Sequence, residues 1–204
     1  ELGTAFALLL KAEDRWGNPA QKYRGSVDVS APGLMLPNGD SVVFDDSHGG
    51  VRRIEGAIFA ESGASRISAV DIENGLTAES NQFRLFHDLP SLKLFWGDPH
   101  SGQVADPHKI SDYFDYAVDV SGVDFAGFQR NDSGHSTDAY EIQQAEEKRY
   151  HQPGRFVPLP GFEWSGNLAA GGHHNVYFGR YDLPMKRWRG SDLLGRDGET
   201  DLPH

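Results

Sequence analysis

The sequence predicts an α+β chain in two parts, a β-sandwich over residues 1–90 and alternating strands and helices over 91–204. Three observations carry this. Short apolar runs separated by Gly, Asn and Pro turns recur through the first part, as sandwich strands do. Helical periodicity sets in only after about Leu92. The 204 residues include 24 glycines and 11 prolines, which supply the turns that many short strands need.

In the first part, an apolar run at 8–12 leads into the turn cluster Asp14-Arg15-Trp16-Gly17-Asn18-Pro19. Residues 25–30 alternate, with Val27 and Val29 on one face and Ser26, Asp28 and Ser30 on the other. Pro32-Gly33 and Pro37-Asn38-Gly39-Asp40 are further turns. Strands are expected at 42–44, 50–59, 64–72 and 82–86.

In the second part, 92–96 reads as an apolar strand. A helix follows, with Ser111 as its N-cap and Gly122 just past its end. Residues 123–128 read as a buried strand. Asp138-Ala139-Tyr140-Glu141 opens a second helix that runs to about His151, where Pro153-Gly154 stops it. Strands are expected at 156–162 and 175–178. This order predicts a parallel sheet or barrel, with polar chemistry at the carboxyl ends of its strands.

Composition excludes several classes. Thirty acidic against 19 basic residues give a net charge of −11, the wrong sign for general nucleic-acid binding or a polybasic membrane surface. With no cysteine, there is no disulfide framework and no thiolate metal site. The longest apolar run, 5–10, is too short for a membrane span or a signal-peptide core. The missing initiator Met and the Gly/Asp-rich stretch at 195–204 read as those of a fragment. Compartment and oligomeric state are not legible.

The strand ends hold the chemistry. Asp98 and His100 follow the first, with Gln103 beyond; Arg130, Asn131, Asp132 and His135 follow the second. Glu163 ends the third, and His173-His174 precede the fourth. Imidazole nitrogens and carboxylate oxygens converging there suit Zn, Mn or Fe. Glu163, within an apolar strand end, needs a cation or a donor, and a structural Arg is the plain rival to a metal. Adjacent side chains of an extended segment point oppositely, so at most one of His173 and His174 is expected to face the site. Asp45-Asp46-Ser47-His48 reads as an exposed hairpin loop, and His108 as a helix-start residue. Glu141, Glu146, Glu147, Lys148 and Arg149 read as a solvated helix face. Arg180, Lys186, Arg187 and Arg189 read as a local basic patch. Neither a phosphate-binding Gly loop nor a Gly-x-Ser-x-Gly elbow is present.

These segments resemble a family. Phe95-Trp96-Gly97-Asp98-Pro99-His100, Tyr116-Ala117-Val118-Asp119-Val120-Ser121-Gly122-Val123-Asp124-Phe125, Pro153-Gly154-Arg155-Phe156-Val157, Gly161-Phe162-Glu163-Trp164-Ser165 and Gly172-His173-His174-Asn175-Val176-Tyr177-Phe178 are similar, in order, to blocks of an uncharacterised branch of the PHP (polymerase and histidinol phosphatase) superfamily. The resemblance implies an Ig-like β-sandwich over 1–90, then the first β/α units of a PHP-type distorted (β/α)₇ barrel over 91–204. It implies a metal-dependent, phosphoesterase-like hydrolase that uses metal-activated water on a small-molecule or phosphoester substrate. The ligands it implies are His100, Glu163 and His173, for a divalent metal (Zn, Mn or Fe) of uncertain number. It implies that Asp98 orients a ligand; Arg130, where the pattern departs from the family, is expected to hold the substrate anion. The pattern departs from the family where the second His of a His-x-His pair is missing after His100. It departs again where Arg130-Asn131 replaces an Asp-His pair, with Asp132 and His135 as stand-ins. A non-catalytic binding module with a degenerate barrel is therefore the second expectation.

Overall fold

The computed structural model describes residues 1–88, 90–102, 104–166 and 171–186. The chain is mixed α+β, mostly strands in several small sheets, and divides into two compact units, Glu1–Leu94 and Phe95–His204. No helix among the described residues is long and apolar enough to cross a membrane.

The first unit holds β1 (Phe6–Lys11), β2 (Gly25–Ser30), β3 (Leu34–Met35), β4 (Ser41–Phe44), β5 (Val51–Phe59), β6 (Gly63–Ser65), β7 (Ser68–Asp71), β8 (Leu76–Glu79) and β9 (Phe83–Leu85). They form antiparallel sheets in the orders β1-β5-β3, β4-β2-β7-β8 and β6-β9. Val29, Val42, Phe44, Ile54 and Phe59, from the two larger sheets, meet in one core. Burial of such apolar area is the main favourable term for these strands.

The single strand expected at 64–72 is two. At Ile67 the backbone N donates to Ser80 Oγ (2.9 Å) and the carbonyl accepts from Ser80 N (2.9 Å). That exchange lets the chain leave the β6-β9 pair and join β2 as β7. Strand β8 escapes sequence reading because all four of its residues are exposed, so no alternation marks it. Only Asn74-Gly75 signals the turn before it, where Gly75 has φ +67° and Asp71 accepts from Asn74 N at 2.9 Å. The loop at 45–48 satisfies itself: Asp45 Oδ1 accepts from Ser47 N, and His48 Nδ1 accepts from Asp45 N.

In the second unit, β10 (Gly97–Ser101), β11 (Phe125–Phe128) and β12 (Val157–Pro158) form a parallel sheet. Between β10 and β11 run α1 (Ile110–Asp115) and a π-helical segment, Tyr116–Ser121, closed by Gly122 in the left-handed region. Helix α2 (Thr137–Tyr150) follows β11. Strands β13 (Gly161–Ser165) and β14 (His173–Tyr177) pair antiparallel. Ile110, Phe114, Phe128 and Phe156 form one core; Tyr140, Phe162 and Trp164 form another.

Several expectations are corrected here. Residues 92–96 are not a strand, and Leu92 is 86% exposed. Pairing is set instead by the close backbone approach of Gly97 to Phe125, which leaves no room for a Cβ. Asp98 and His100 thus lie within β10 rather than after it. The first helix is not capped by Ser111; Asp106 Oδ1 accepts from His108 N in the 3₁₀ turn before it. The second is capped by Ser136, whose Oγ accepts from Ala139 N, not by Asp138. The strand expected at 156–162 is split at Leu159-Pro160, since proline brings no N–H to a ladder. After that break the chain returns as an antiparallel β13-β14 hairpin, not as another parallel strand. Finally, Glu147 is fully buried beside Gln143, not part of a solvated face.

Gly161 shows how tightly the hairpin is set. A methyl group there would overlap the Val176 carbonyl oxygen, a backbone atom with little freedom to retreat. Gly161→Ala is expected to destabilise the protein by roughly 1–3 kcal/mol, as overpacking does, and to shift His173 against Glu163. Urea unfolding checks it; a midpoint equal to wild type would contradict the packing described.

Candidate functional site

Glu163 occupies the centre of β13. Strand alternation puts Gly161, Glu163 and Ser165 on one face and Phe162 and Trp164 on the other, where they pack on Tyr140 and Val176. Glu163 is only 7% exposed. Both of its oxygens take a histidine nitrogen: His100 Nε2 lies 3.2 Å from Oε2, and His173 Nδ1 lies 2.6 Å from Oε1. These two histidines, and no arginine, are its ion-pair partners among the described residues. His100 comes from β10, 63 residues away in sequence; His173 stands across the hairpin in register with Ser165. Burial makes a carboxylate costly unless it is paired, and the two imidazoles supply that pairing.

The other nominated residues fall around this trio. Asp98 Oδ1 accepts from the His100 backbone N at 3.0 Å, fixing the strand that carries His100. Arg130 donates through Nε to Gly134 O (3.1 Å) and through a terminal nitrogen to Val104 O. Asp132 is buried and accepts from Ser165 N at 2.8 Å. His135 is buried between the rings of Phe128 and Tyr140. His174 points away from Glu163 and stacks on Trp164, centroids 5.8 Å apart. Gln103, Arg187 and Arg189 lie outside the described residues, and Arg180 and Lys186 are exposed. Tyr113 shares a hydrogen bond with Ser101 Oγ (2.8 Å), and burial pushes its hydroxyl up to about 12, so it stays protonated near neutral pH.

Two participants went unnamed as donors in the sequence reading. The Asn131 amide lies 2.8 Å from Ser165 Oγ and 3.5 Å from His173 Nδ1, and Asn131 bridges Glu163 in parallel register. Ser165 was findable, since it shares the face of Glu163 two residues on. Asn131 was placed at the second strand's end, but its contacts with Ser165 and His173 were not legible, because a parallel bridge leaves no local pattern.

Two imidazoles and one carboxylate form a donor set suited to a first-row divalent ion. With bonds of about 2.1 Å, neighbouring ligand atoms in a tetrahedral site stand about 3.4 Å apart. The 3.2 Å between His100 Nε2 and Glu163 Oε2 matches that spacing, whereas the 2.6 Å between His173 Nδ1 and Glu163 Oε1 is a hydrogen-bonding separation. Among the described residues, no three His, Cys, Asp or Glu side chains stand as a ready-made ligand cluster. The set thus fits an ion in donor type and in one of its two spacings about Glu163.

No family model, no curated protein and no solved structure matches this chain.

Proposed function

We propose that this chain is a metal-dependent hydrolase of phosphoesterase type, divergent from the PHP superfamily, with an Ig-like sandwich preceding its β/α part. The observation that carries the reading is the convergence of His100 and His173 on the buried Glu163. A buried carboxylate flanked by two imidazoles has the donor chemistry of a Zn, Mn or Fe site. A divalent ion held there would supply Lewis acidity toward a phosphoryl oxygen and toward a water that attacks phosphorus as the ester oxygen leaves.

In this reading the residues divide the work. His100, Glu163 and His173 hold the ion. Asp98 keeps His100 in place through the backbone, and Asp132 keeps β13 in place through Ser165 N. Arg130 receives the substrate anion with guanidinium N–H groups beyond those that hold Val104 O and Gly134 O. A fixed cation and a bound ion give an acidic protein of net charge −11 a local site for an anionic substrate.

The test is hydrolysis of p-nitrophenyl phosphate with added Mn²⁺ or Zn²⁺, and with a chelator. Turnover should need the ion and fall at least a hundredfold in both His100→Ala and His173→Ala. Turnover indifferent to chelator would refute it. One observation favours a non-catalytic binding module instead: the first unit carries a cleft of about 400 Å³ lined by Leu8, Leu10, Tyr23, Phe44 and Leu76. Under that reading no phosphoester is turned over, and binding resides in the cleft.

A further inference from the structure

The cleft of the first unit is lined by consecutive residues, 8–13 from β1 onward and 76–80 from β8 onward. Successive side chains of a strand point to opposite faces, so a cleft that met only one face would touch every second residue. An unbroken run means that the cleft follows the edge of each strand. Both strands are edges: β1 ends the sheet β1-β5-β3, and β8 ends the sheet β4-β2-β7-β8. The floor between them is apolar, made by Val27, Phe44, Ile67 and Ala69.

Ladder parity tells which backbone groups face the gap. Antiparallel pairs alternate between those that exchange hydrogen bonds and those that do not. Ala12 N donates to Gly50 O in the register that also pairs Leu10 with Arg52 and Leu8 with Ile54. The N–H and C=O of Leu9 and Lys11 therefore point away from β5. Ser80 N donates to Ile67 O, which by the same rule turns Thr77 and Glu79 away from β7. Among the described residues, no hydrogen bond reaches the backbone of these four from that side. Neither edge is protected: β1 is half-buried at all six positions, three of them consecutive leucines, and β8 is exposed at all four. An edge left in this state is a template for another strand. Stacked sheets lie about 10 Å apart and paired strands about 4.8 Å, so one strand fits between the two edges with hydrogen bonds to both.

We propose that this seam takes an extended segment of a partner protein, apolar at every second residue and basic between, which pairs with β1 on one side and β8 on the other. Its apolar side chains fill the floor, while its main chain supplies affinity. Charge sets the choice of partner. Lys11 is already paired with Glu13 at 2.6 Å, which leaves Glu79 and the buried Asp71 as unbalanced charge around the cleft. In a chain of net charge −11, that favours a basic partner over a second copy of the chain itself. The inference takes up the cleft of the binding-module reading and does not depend on an ion at Glu163.

The test titrates the whole chain with a labelled, end-blocked peptide of about seven alternating Lys and Val residues, followed by fluorescence anisotropy at about 150 mM salt, where distant surface charges are screened. It should bind at least tenfold more tightly than a peptide of the same composition with its valines together. N-methylation of either alternate set of peptide amides should cost at least tenfold, because one set faces β1 and the other β8. Thr77→Pro removes an N–H that the β7 ladder does not use, a change that edge strands tolerate, and should weaken binding as much. Thr77→Val should bind as wild type does. The methylated peptides leave the protein untouched, so the test stands even where the proline variant does not fold. Equal binding of the rearranged peptide would reduce the contact to charge and overturn the proposal. Tolerance of either methylated set would show a general apolar site or a single paired edge, and would overturn it too. So would a wild type found dimeric by sedimentation and made monomeric by Thr77→Pro, since the seam would then hold a second copy. None of these outcomes bears on metal uptake, so the two readings fail separately.

Discussion

Glu147→Met is expected to stabilise the protein near and above pH 8 by several kcal/mol and to flatten its stability between pH 4.5 and 8. Glu147 lies wholly inside the second unit, and burial pushes its carboxyl up to about 8 from an ordinary 4.5. Among the described residues its direct donor is Gln143 Nε2, 2.7 Å from Oε1, and Oε2 has no hydrogen-bond partner there. The native state therefore holds the group neutral where the unfolded chain ionises it. The sign follows: the stability is fully present below pH 4.5 and is lost as pH rises through about 8. Integrated over that interval, the loss is roughly 4–5 kcal/mol for this group. The methionine need not leave a polar orphan. Gln143 Nε2 has two protons but three acceptors, the others being Phe128 O at 3.0 Å and Gly161 O at 2.8 Å. Urea unfolding of both proteins from pH 4 to 9 measures the effect. Parallel pH profiles would contradict it. Below pH 4 both proteins should weaken together, because Asp14, Asp45 and Asp71, held low by hydrogen bonds from their neighbours, must then take up protons.

Glu163→Ala is expected to weaken divalent-ion affinity by well over a hundredfold, beyond the 10–100-fold that loss of a merely supporting residue brings. It removes the carboxylate on which His100 and His173 converge, and leaves two imidazoles with nothing to hold them together. Asp98→Ala, by contrast, acts only through the His100 backbone and should cost tenfold or less. Calorimetric titration with Zn²⁺ separates the two. Equal losses would mean that Glu163 does no more than position.

Much of the trio was legible because chemistry is local to residue type. A carboxylate between Phe162 and Trp164 announces a buried charge that needs a partner, whatever the surrounding topology. The adjacent His173-His174 pair had to split by strand alternation, and it does: one ring meets Glu163, the other Trp164. What sequence could not supply was set by pairing partners far along the chain. The 92–96 run looked like a strand on apolarity, but the register belongs to Gly97 against Phe125. The β13-β14 hairpin reads as a parallel continuation, because the break at Pro160 and the antiparallel return are fixed by pairing with β14. Glu147 looked solvated because it adjoins Glu146, Lys148 and Arg149. The buried face runs instead through Ala139, Tyr140, Gln143, Glu147 and Tyr150, a spacing of three and four with polar members in it. Asn131 reaches the site through a parallel bridge that no local pattern records.

The central claim is that His100, Glu163 and His173 hold a divalent ion. Elemental analysis of the purified protein, after equilibration with Zn²⁺, Mn²⁺ or Fe²⁺ and removal of free ion, tests it most directly. The account predicts at least one equivalent retained per chain by the wild type and none by Glu163→Ala. No retained metal in the wild type, after exposure to each ion in turn, would contradict it.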